Sequence, residues 1–313
     1  MNKLTTSPQR VAIEDGLKHI YLCEQEDRQP TIQSLAGVLQ ITLDEAANLI
    51  AELAEHKLLQ LGNDAPHLTP AGQEYAVHIV RAHRLWERYL ADKTGFTETE
   101  WHDLADRYEH TLSPAEIEAL SAKLGHPTYD PHGDPIPTTD GEMVTHGGQP
   151  LTSLSSGQSG RIVHLEDEPA LVYAQLIAEG LYVGMDVHLT ETSSQRIRFR
   201  AAGEEHILAP IVAANISVLP LPEAESVETS PTDLLAQLKP GQSGKVVNIS
   251  PLCRGPERRR LMDLGILPGT VITAEIKSPS GDPTAYNVRG SLIALRREQA
   301  NYINITTLEE TRQ

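Results

Sequence analysis

The sequence predicts a mainly α N-terminal half followed by two small β-rich domains, and three observations predict it. Helix-start signals recur through the first 125 residues, at Thr42, Thr69, Thr97 and Ser113. From Leu151 the hydrophobic period changes to alternation. Within that second half, LSSGQSGRIVHL at 154–165 is answered by LKPGQSGKVVNI at 238–249, so one β-rich unit occurs twice. At 313 residues the chain is too long for one core. With only 2 Trp, 9 Tyr and 2 Phe, its cores must be built from Leu, Ile, Val and Ala.

The elements follow in order. TIQSLAGVLQ after Pro30 is a short helix that breaks at Gln40-Ile41. Thr42-Leu43-Asp44-Glu45 restarts it, because Thr and Glu can satisfy each other's unpaired amides. This second helix, from Leu43 to His56, places Ala46, Ile50, Leu53 and Leu58 on one side, and KLLQLGNDAPHLT reads as two short strands around a Gly-Asn turn. Helix, turn, helix and hairpin in that order resemble a winged helix-turn-helix, expected over residues 1–70. A helical domain follows at 71–145. Pro70 opens a long helix that stops at Gly95, Thr97-Glu98-Thr99-Glu100 launches WHDLADRYEHTL, and Ser113-Pro114-Ala115-Glu116 launches IEALSAKL. Residues 125–150 are rich in Pro and Gly and read as an ordered strap followed by a linker. The two β-rich domains occupy 151–220 and 234–308, joined by the acidic segment 220–233. Gly180 and Gly184 match Gly265 and Gly269, Asn215-Ile216 matches Asn301-Tyr302, and one short helix interrupts each copy (AQLIAEG or RRRLMDLG). The glycines are expected to serve tight turns.

A net charge of −17 argues against a general nucleic-acid binder and against attachment to anionic lipid. The charge is uneven: Arg254, Arg258, Arg259 and Arg260 cluster in the last repeat, where they suit contact with an acidic surface. Cys23 and Cys253 are too few for a disulfide framework or a thiolate zinc site and are expected to be free thiols in a reducing compartment. With no signal peptide and no apolar run long enough for a bilayer, the expectation is a cytoplasmic protein without membrane insertion. Nucleophile motifs, phosphate loops and zinc-protease helices are missing, so an enzyme is not expected.

The chemistry concentrates between His67 and His146, which holds eight of the 13 histidines. His83 and Glu87, spaced i, i+4, share a helix face, and His102, Asp106, Glu109 and His110 share another. Imidazole with carboxylate and no thiolate suits harder divalent metals; the bland alternative is a set of solvated or ion-paired side chains.

These residues also carry a resemblance. His83-Arg84-Leu85-x-Glu87-Arg88-x-Leu90, His102-Asp103-x-Ala105-Asp106-x-x-Glu109-His110 and Pro135-Ile136-Pro137 resemble the metal-binding and dimerisation domain of the diphtheria-toxin-repressor family of iron- or manganese-dependent regulators. The repeats look like that family's SH3-like β-barrel domain, also the fold of the small ferrous-iron transport protein A. The resemblance implies a homodimer that binds a double-stranded DNA operator with Fe²⁺ or Mn²⁺ as co-repressor. It implies a primary site of Asp15, Asp106, Glu109 and His110, an ancillary site of His83, Glu87 and His102, and DNA contacts from Thr42 and Asn48. Lys18 stands where the manganese regulators carry a bridging Glu, which disfavours a close two-metal cluster. Without metal, the carboxylates are expected to repel one another. The helix from Thr42 to His56 contains Asp44, Glu45, Glu52 and Glu55 and no Lys or Arg, which leaves an alternative: an accessory protein of a ferrous-iron transporter with a degenerate helix-turn-helix.

Overall fold

A computed structural model describes residues 7–62, 65–222 and 233–308. The chain divides into two compact units, one made of 1–89 with 99–146 and one of 90–98 with 147–313.

The first unit is helical. Helix α1 (Pro8–Gln25) starts at Ser7, whose hydroxyl accepts from the Arg10 amide. Helices α2 (Ile32–Leu39) and α3 (Leu43–Glu55) are joined at Gln40, whose left-handed backbone makes the tight joint. Both are held by capping boxes, and the one at Thr42 and Glu45 is the one its sequence predicts. Strands β1 (Leu59–Leu61) and β2 (Pro66–Leu68) pair antiparallel as the wing, while the Asn63 and Asp64 of its expected turn lie outside the described residues. Helix α4 (Pro70–Lys93) starts where Thr69 accepts from the Gly72 amide and donates to the Lys57 carbonyl. Gly72 is required here, since a Cβ would stand 2.0 Å from the Leu58 carbonyl oxygen. One apolar core joins Leu17, Ile20 and Tyr21 of α1 to Leu49 and Leu53 of α3 and to Ala76, Val77 and Val80 of α4. The winged helix and the long helix thus share buried surface. Helices α5 (Glu98–Glu109) and α6 (Pro114–Leu124) complete the unit, α6 with the predicted box at Ser113 and Glu116. The strap after α6 is pinned to α4, where Arg81 donates to the Pro137 carbonyl and Arg84 to the Pro135 carbonyl, and it is folded on itself by Asp130, which accepts the amides of His132, Gly133 and Asp134.

The second unit holds two six-stranded antiparallel sheets built on one plan. The first has the order β3 (Gln149–Pro150), β8 (Ile216–Pro220), β4 (Ser159–Leu165), β5 (Asp186–Thr192), β6 (Ile197–Ala201), β7 (Glu204–Leu208). The second repeats it as β9 (Asp233–Leu234), β14 (Ile303–Leu308), β10 (Ser243–Ile249), β11 (Val271–Lys277), β12 (Thr284–Val288), β13 (Ser291–Leu295). Helices α7 (Ala170–Ala178) and α8 (Pro210–Ala213) in the first copy answer α9 (Gly255–Asp263) and α10 (Arg297–Asn301) in the second. Even the register shifts recur, between Ile162 and His164 and between Val246 and Asn248.

Two details differ from expectation. Ile216 opens β8 as Ile303, not Tyr302, opens β14, because the hairpin between β11 and β12 is longer than the one between β5 and β6. Not every repeated glycine serves a turn. Gly157 and Gly241 have φ near +90°, but Gly160 and Gly244 lie inside strands where a Cβ would meet Val218 at 3.1 Å and Ile305 at 2.4 Å. Most of the acidic linker, residues 223–232, lies outside the described residues. Cys23 and Cys253 are free and buried, as expected. Of the clustered arginines, Arg258 donates to the carbonyls of Ile249, Ser250 and Cys253 and so closes the end of β10 within its own domain. Among the described residues no helix is long and apolar enough to cross a membrane.

Candidate metal centre

Three helices of the first unit converge on one polar site. The periodicity of α4 puts His83 and Glu87 one turn apart, and that of α5 does the same for His102 and Asp106, with Glu109 and His110 a further turn along. From α1 come Glu14, Asp15 and Lys18.

The side chains form two neighbouring groups, each with ligand atoms within 4.8 Å of one another: His83, His102 and Asp106, and Asp15, Glu109 and His110. Six of the seven residues expected at the metal sites fall in these two groups and Glu87 stands against the first, but the grouping differs from the one the family resemblance implies. Asp106 belongs with the two histidines, with Oδ1 3.2 Å from His83 Nδ1 and Oδ2 3.6 Å from His102 Nε2. The reason is local: Asp106 lies four residues after His102, so its carboxylate extends over that ring, with Oδ1 left to meet Lys18 of α1. Glu87 approaches the same two rings from the other side, its Oε1 3.0 Å from His83 Nε2 and 3.4 Å from His102 Nδ1. In this arrangement one carboxylate can share a cation with the two imidazoles while the other fixes their orientation. In the second group, His110 Nε2 is 3.2 Å from Asp15 Oδ1 and 3.7 Å from Glu109 Oε1.

Glu14 escaped sequence reasoning. It is fully buried, accepts from Tyr75 at 2.6 Å and Arg10 at 2.7 Å, and lies 2.6 Å from His110 Nδ1. It holds the ring so that Nε2 faces Asp15 and Glu109. The i, i+4 spacing of Arg10 and Glu14 was the only signal in the sequence, and it reads equally well as a surface pair. His132, from the strap, stands 3.6 Å from Glu87 and is likewise visible only in three dimensions.

Lys18 corrects the expectation of mutually repelling carboxylates. Its ammonium lies 2.9 Å from Asp106 Oδ1, 3.0 Å from Glu109 Oε2 and 3.0 Å from His83 Nδ1, touching members of both groups. His83 Nδ1 is also 2.5 Å from Glu109 Oε2. The charges lock one another. Burial opposes the Lys18 charge, yet Glu109 and Asp106 outweigh it and raise its pKa above the ordinary lysine value. Burial and Lys18 oppose protonation of His83, but Glu87 and Glu109 hold its pKa well above normal. Against the cost of burial, Lys18 and His83 keep Asp106 and Glu109 below the usual carboxylate range. His110, despite burial, is pushed up to about 9 by hydrogen bonds to Asp15 and Glu14. As a donor set, imidazole nitrogens with carboxylate oxygens and no sulfur fit Mn²⁺ or Fe²⁺ better than soft, late metals.

On α3 the two residues expected at DNA are both exposed. The Thr42 hydroxyl is committed to the capping box, 2.8 Å from Glu45 Oε2. Asn48 lies on an outward face with Asp44, Ala47, Ala51 and Glu55. Three basic side chains of this lobe are engaged with acids: Arg10 with Glu14, Lys18 with Asp106 and Glu109, and Arg28 with Glu26.

Fold and site together define a class: a winged-helix protein whose adjoining helices carry a histidine–carboxylate centre that also takes residues from the first helix of the winged domain. Comparison with known proteins agrees. Residues 69–138 match the family described as iron dependent repressor, metal binding and dimerisation domain, and residues 234–307 match the FeoA domain. The chain is 29% identical over 173 residues to the iron-dependent repressor IdeR of Mycobacterium leprae, covering 55% of this chain and 74% of the relative. It is 29% identical over 184 residues to the diphtheria toxin repressor of Corynebacterium efficiens, covering 55% and 80%. A solved manganese-dependent transcriptional repressor in complex with manganese superposes with a TM-score of 0.62 at 30% identity, covering 67% of this chain and 100% of the other. This chain belongs to the diphtheria-toxin-repressor family of iron- and manganese-dependent transcriptional regulators.

Proposed function

We propose that this protein is a cytoplasmic, homodimeric, metal-dependent repressor of metal-uptake genes rather than an enzyme, with Fe²⁺ or Mn²⁺ as co-repressor. Its modules are a winged helix at 1–70, a metal-binding and dimerisation domain at 71–145, and FeoA-type SH3-like domains at 151–220 and 234–308. One observation carries the reading: Asp15, on the first helix of the winged domain, reaches the same point as Glu109, the last residue of α5, and His110 just after it. A divalent cation held there supplies positive charge shared by ligands from both lobes. Asp15 then fixes α1, and through the common core α3, relative to the dimerisation helices. In a dimer this sets the distance between two α3 helices for successive half-sites. Thr42 and Asn48 are the proposed DNA contacts, with Asn48 free to read a base edge. Relatives and structural neighbours that are repressors favour this role over that of transporter accessory.

The test is a mobility-shift assay on promoter DNA of metal-transport genes from the same genome with Mn²⁺, Fe²⁺ or chelator. Wild type should retard the DNA only with metal. Asp15→Ala should stay folded and dimeric and lose the metal-stimulated shift. Unchanged metal-dependent binding by that variant overturns the mechanism.

A further inference from the structure

Lys18 has no place in a ligand set, yet it occupies the middle of this one. Its side chain is 15% exposed and extends from α1 into the space between the two groups. There it takes Asp106 Oδ1 from one group, Glu109 Oε1 and Oε2 from the other, at 2.9, 3.3 and 3.0 Å, and His83 Nδ1 at 3.0 Å. These are donor atoms that a cation at either group would use. A cation near His83 and His102 must share Asp106 with the ammonium or displace it, and a cation near Asp15 and His110 faces the same contest for Glu109. The contact also spans the two lobes, since Lys18 belongs to α1 while its partners belong to α4 and α5.

We propose that the Lys18 ammonium is a resident cation of this centre, which latches α1 to α4 and α5 in the metal-free chain and competes with divalent metal for Asp106 and Glu109. The competition rests on the metal-binding role proposed above; the latch does not. A positive charge a few ångströms from an incoming cation weakens its binding, while the neutralised carboxylates have less to gain from it. The chain is thereby set to take metal at higher concentration and at fewer positions than its acidic residues would allow. Its metal-free form also starts with the two lobes already joined.

The experiment compares wild type, Lys18→Met, Lys18→Gln and Lys18→Arg by equilibrium dialysis against Mn²⁺ alone, with bound metal measured directly. Thermal unfolding is followed by tryptophan fluorescence, which reports the helical unit because Trp86 and Trp101 are the only tryptophans and both lie in it. Met and Gln should bind Mn²⁺ at least about tenfold more tightly or take up an additional equivalent, as expected when a charge at this distance is removed. Without metal they should melt at lower temperature, and Mn²⁺ should raise their midpoint more than it raises that of wild type. Arg, which keeps the charge, should stay close to wild type. Equal affinity, stoichiometry and metal-free midpoint in wild type, Met and Gln overturn the inference while leaving the metal site intact. If no form binds Mn²⁺, the competition and the metal-binding role both fall, and the metal-free midpoints alone decide whether Lys18 is a latch. Should Met not fold without metal, Gln, which keeps a hydrogen-bonding end, gives the same readings.

Discussion

The helical unit and the paired sheets treat charge in opposite ways. Around α1, α4 and α5 three acids are buried: Glu14, Glu87 and Glu109 are each 1% exposed or less, and each is held by lysine, arginine, histidine or tyrosine. In the sheets the arginine–carboxylate pairs lie on the surface, as in Arg161 with Asp186 and Arg196 with Glu191, over apolar clusters such as Leu176, Leu189, Phe199 and Ile216, and the buried His206 has a half-exposed acid, Glu179, beside it. Apolar cores suffice to hold a duplicated scaffold. Buried charge is costly and is retained where opposite charges and hydrogen bonds from several elements compensate it. The comparison therefore places the proposed switch in the helical unit.

The largest expected effect breaks the buried network. Glu109→Ala removes the buried carboxylate that Lys18 and His83 share, leaving Lys18 to Asp106 and His83 to Asp106 and Glu87, and breaking a buried pair typically costs about 3–5 kcal/mol. The tryptophan-monitored midpoint should fall steeply in metal-free protein while the far-ultraviolet signal of the sheets melts as in wild type. Equal loss in both signals would mean that the units are not energetically separate.

An intermediate effect is the pH dependence of the metal-free helical unit. His110, raised to about 9 from 6.5, adds stability that is complete below its unfolded pKa and is lost as the pH rises through about 9. Asp106, Glu109 and Glu87, held low, add stability that is full above the ordinary carboxylate range and is lost as the pH falls from that range through their depressed folded values. The tryptophan midpoint should peak at roughly pH 5–7 and decline on both sides. A flat profile from there to pH 9 would show that His110 is not held as a cation.

The smallest effect sharpens the comparison from the other side. Arg196→Ala removes an exposed pair with Glu191, and exposed pairs contribute little to stability. Neither midpoint should move measurably, and a clear drop would give the sheet surface an energetic role that its exposure does not predict.

Much of this molecule is legible locally. The boxes at Thr42–Glu45 and Ser113–Glu116 fix where α3 and α6 begin, because each depends on side chains three residues apart. The duplicated Gln-Ser-Gly segment fixes two copies of one sheet, although the role of Gly160 and Gly244 emerges only from the strands that cross them. Spacing along α4 and α5 puts His83 with Glu87 and His102 with Asp106, because a helix repeats every 3.6 residues. Local sequence thus marked α2 to α6, the duplicated sheet and the histidines and carboxylates of α4 and α5, whereas Asp15 followed only from the family resemblance. Tertiary structure decided the partners: Asp106 with the histidines, Glu14 behind His110, and Lys18 between the groups. The physical reason is separation along the chain. Lys18 and Glu109 stand 91 residues apart, and only the shared core of α1, α3 and α4 brings α1 to where an ammonium can meet that carboxylate.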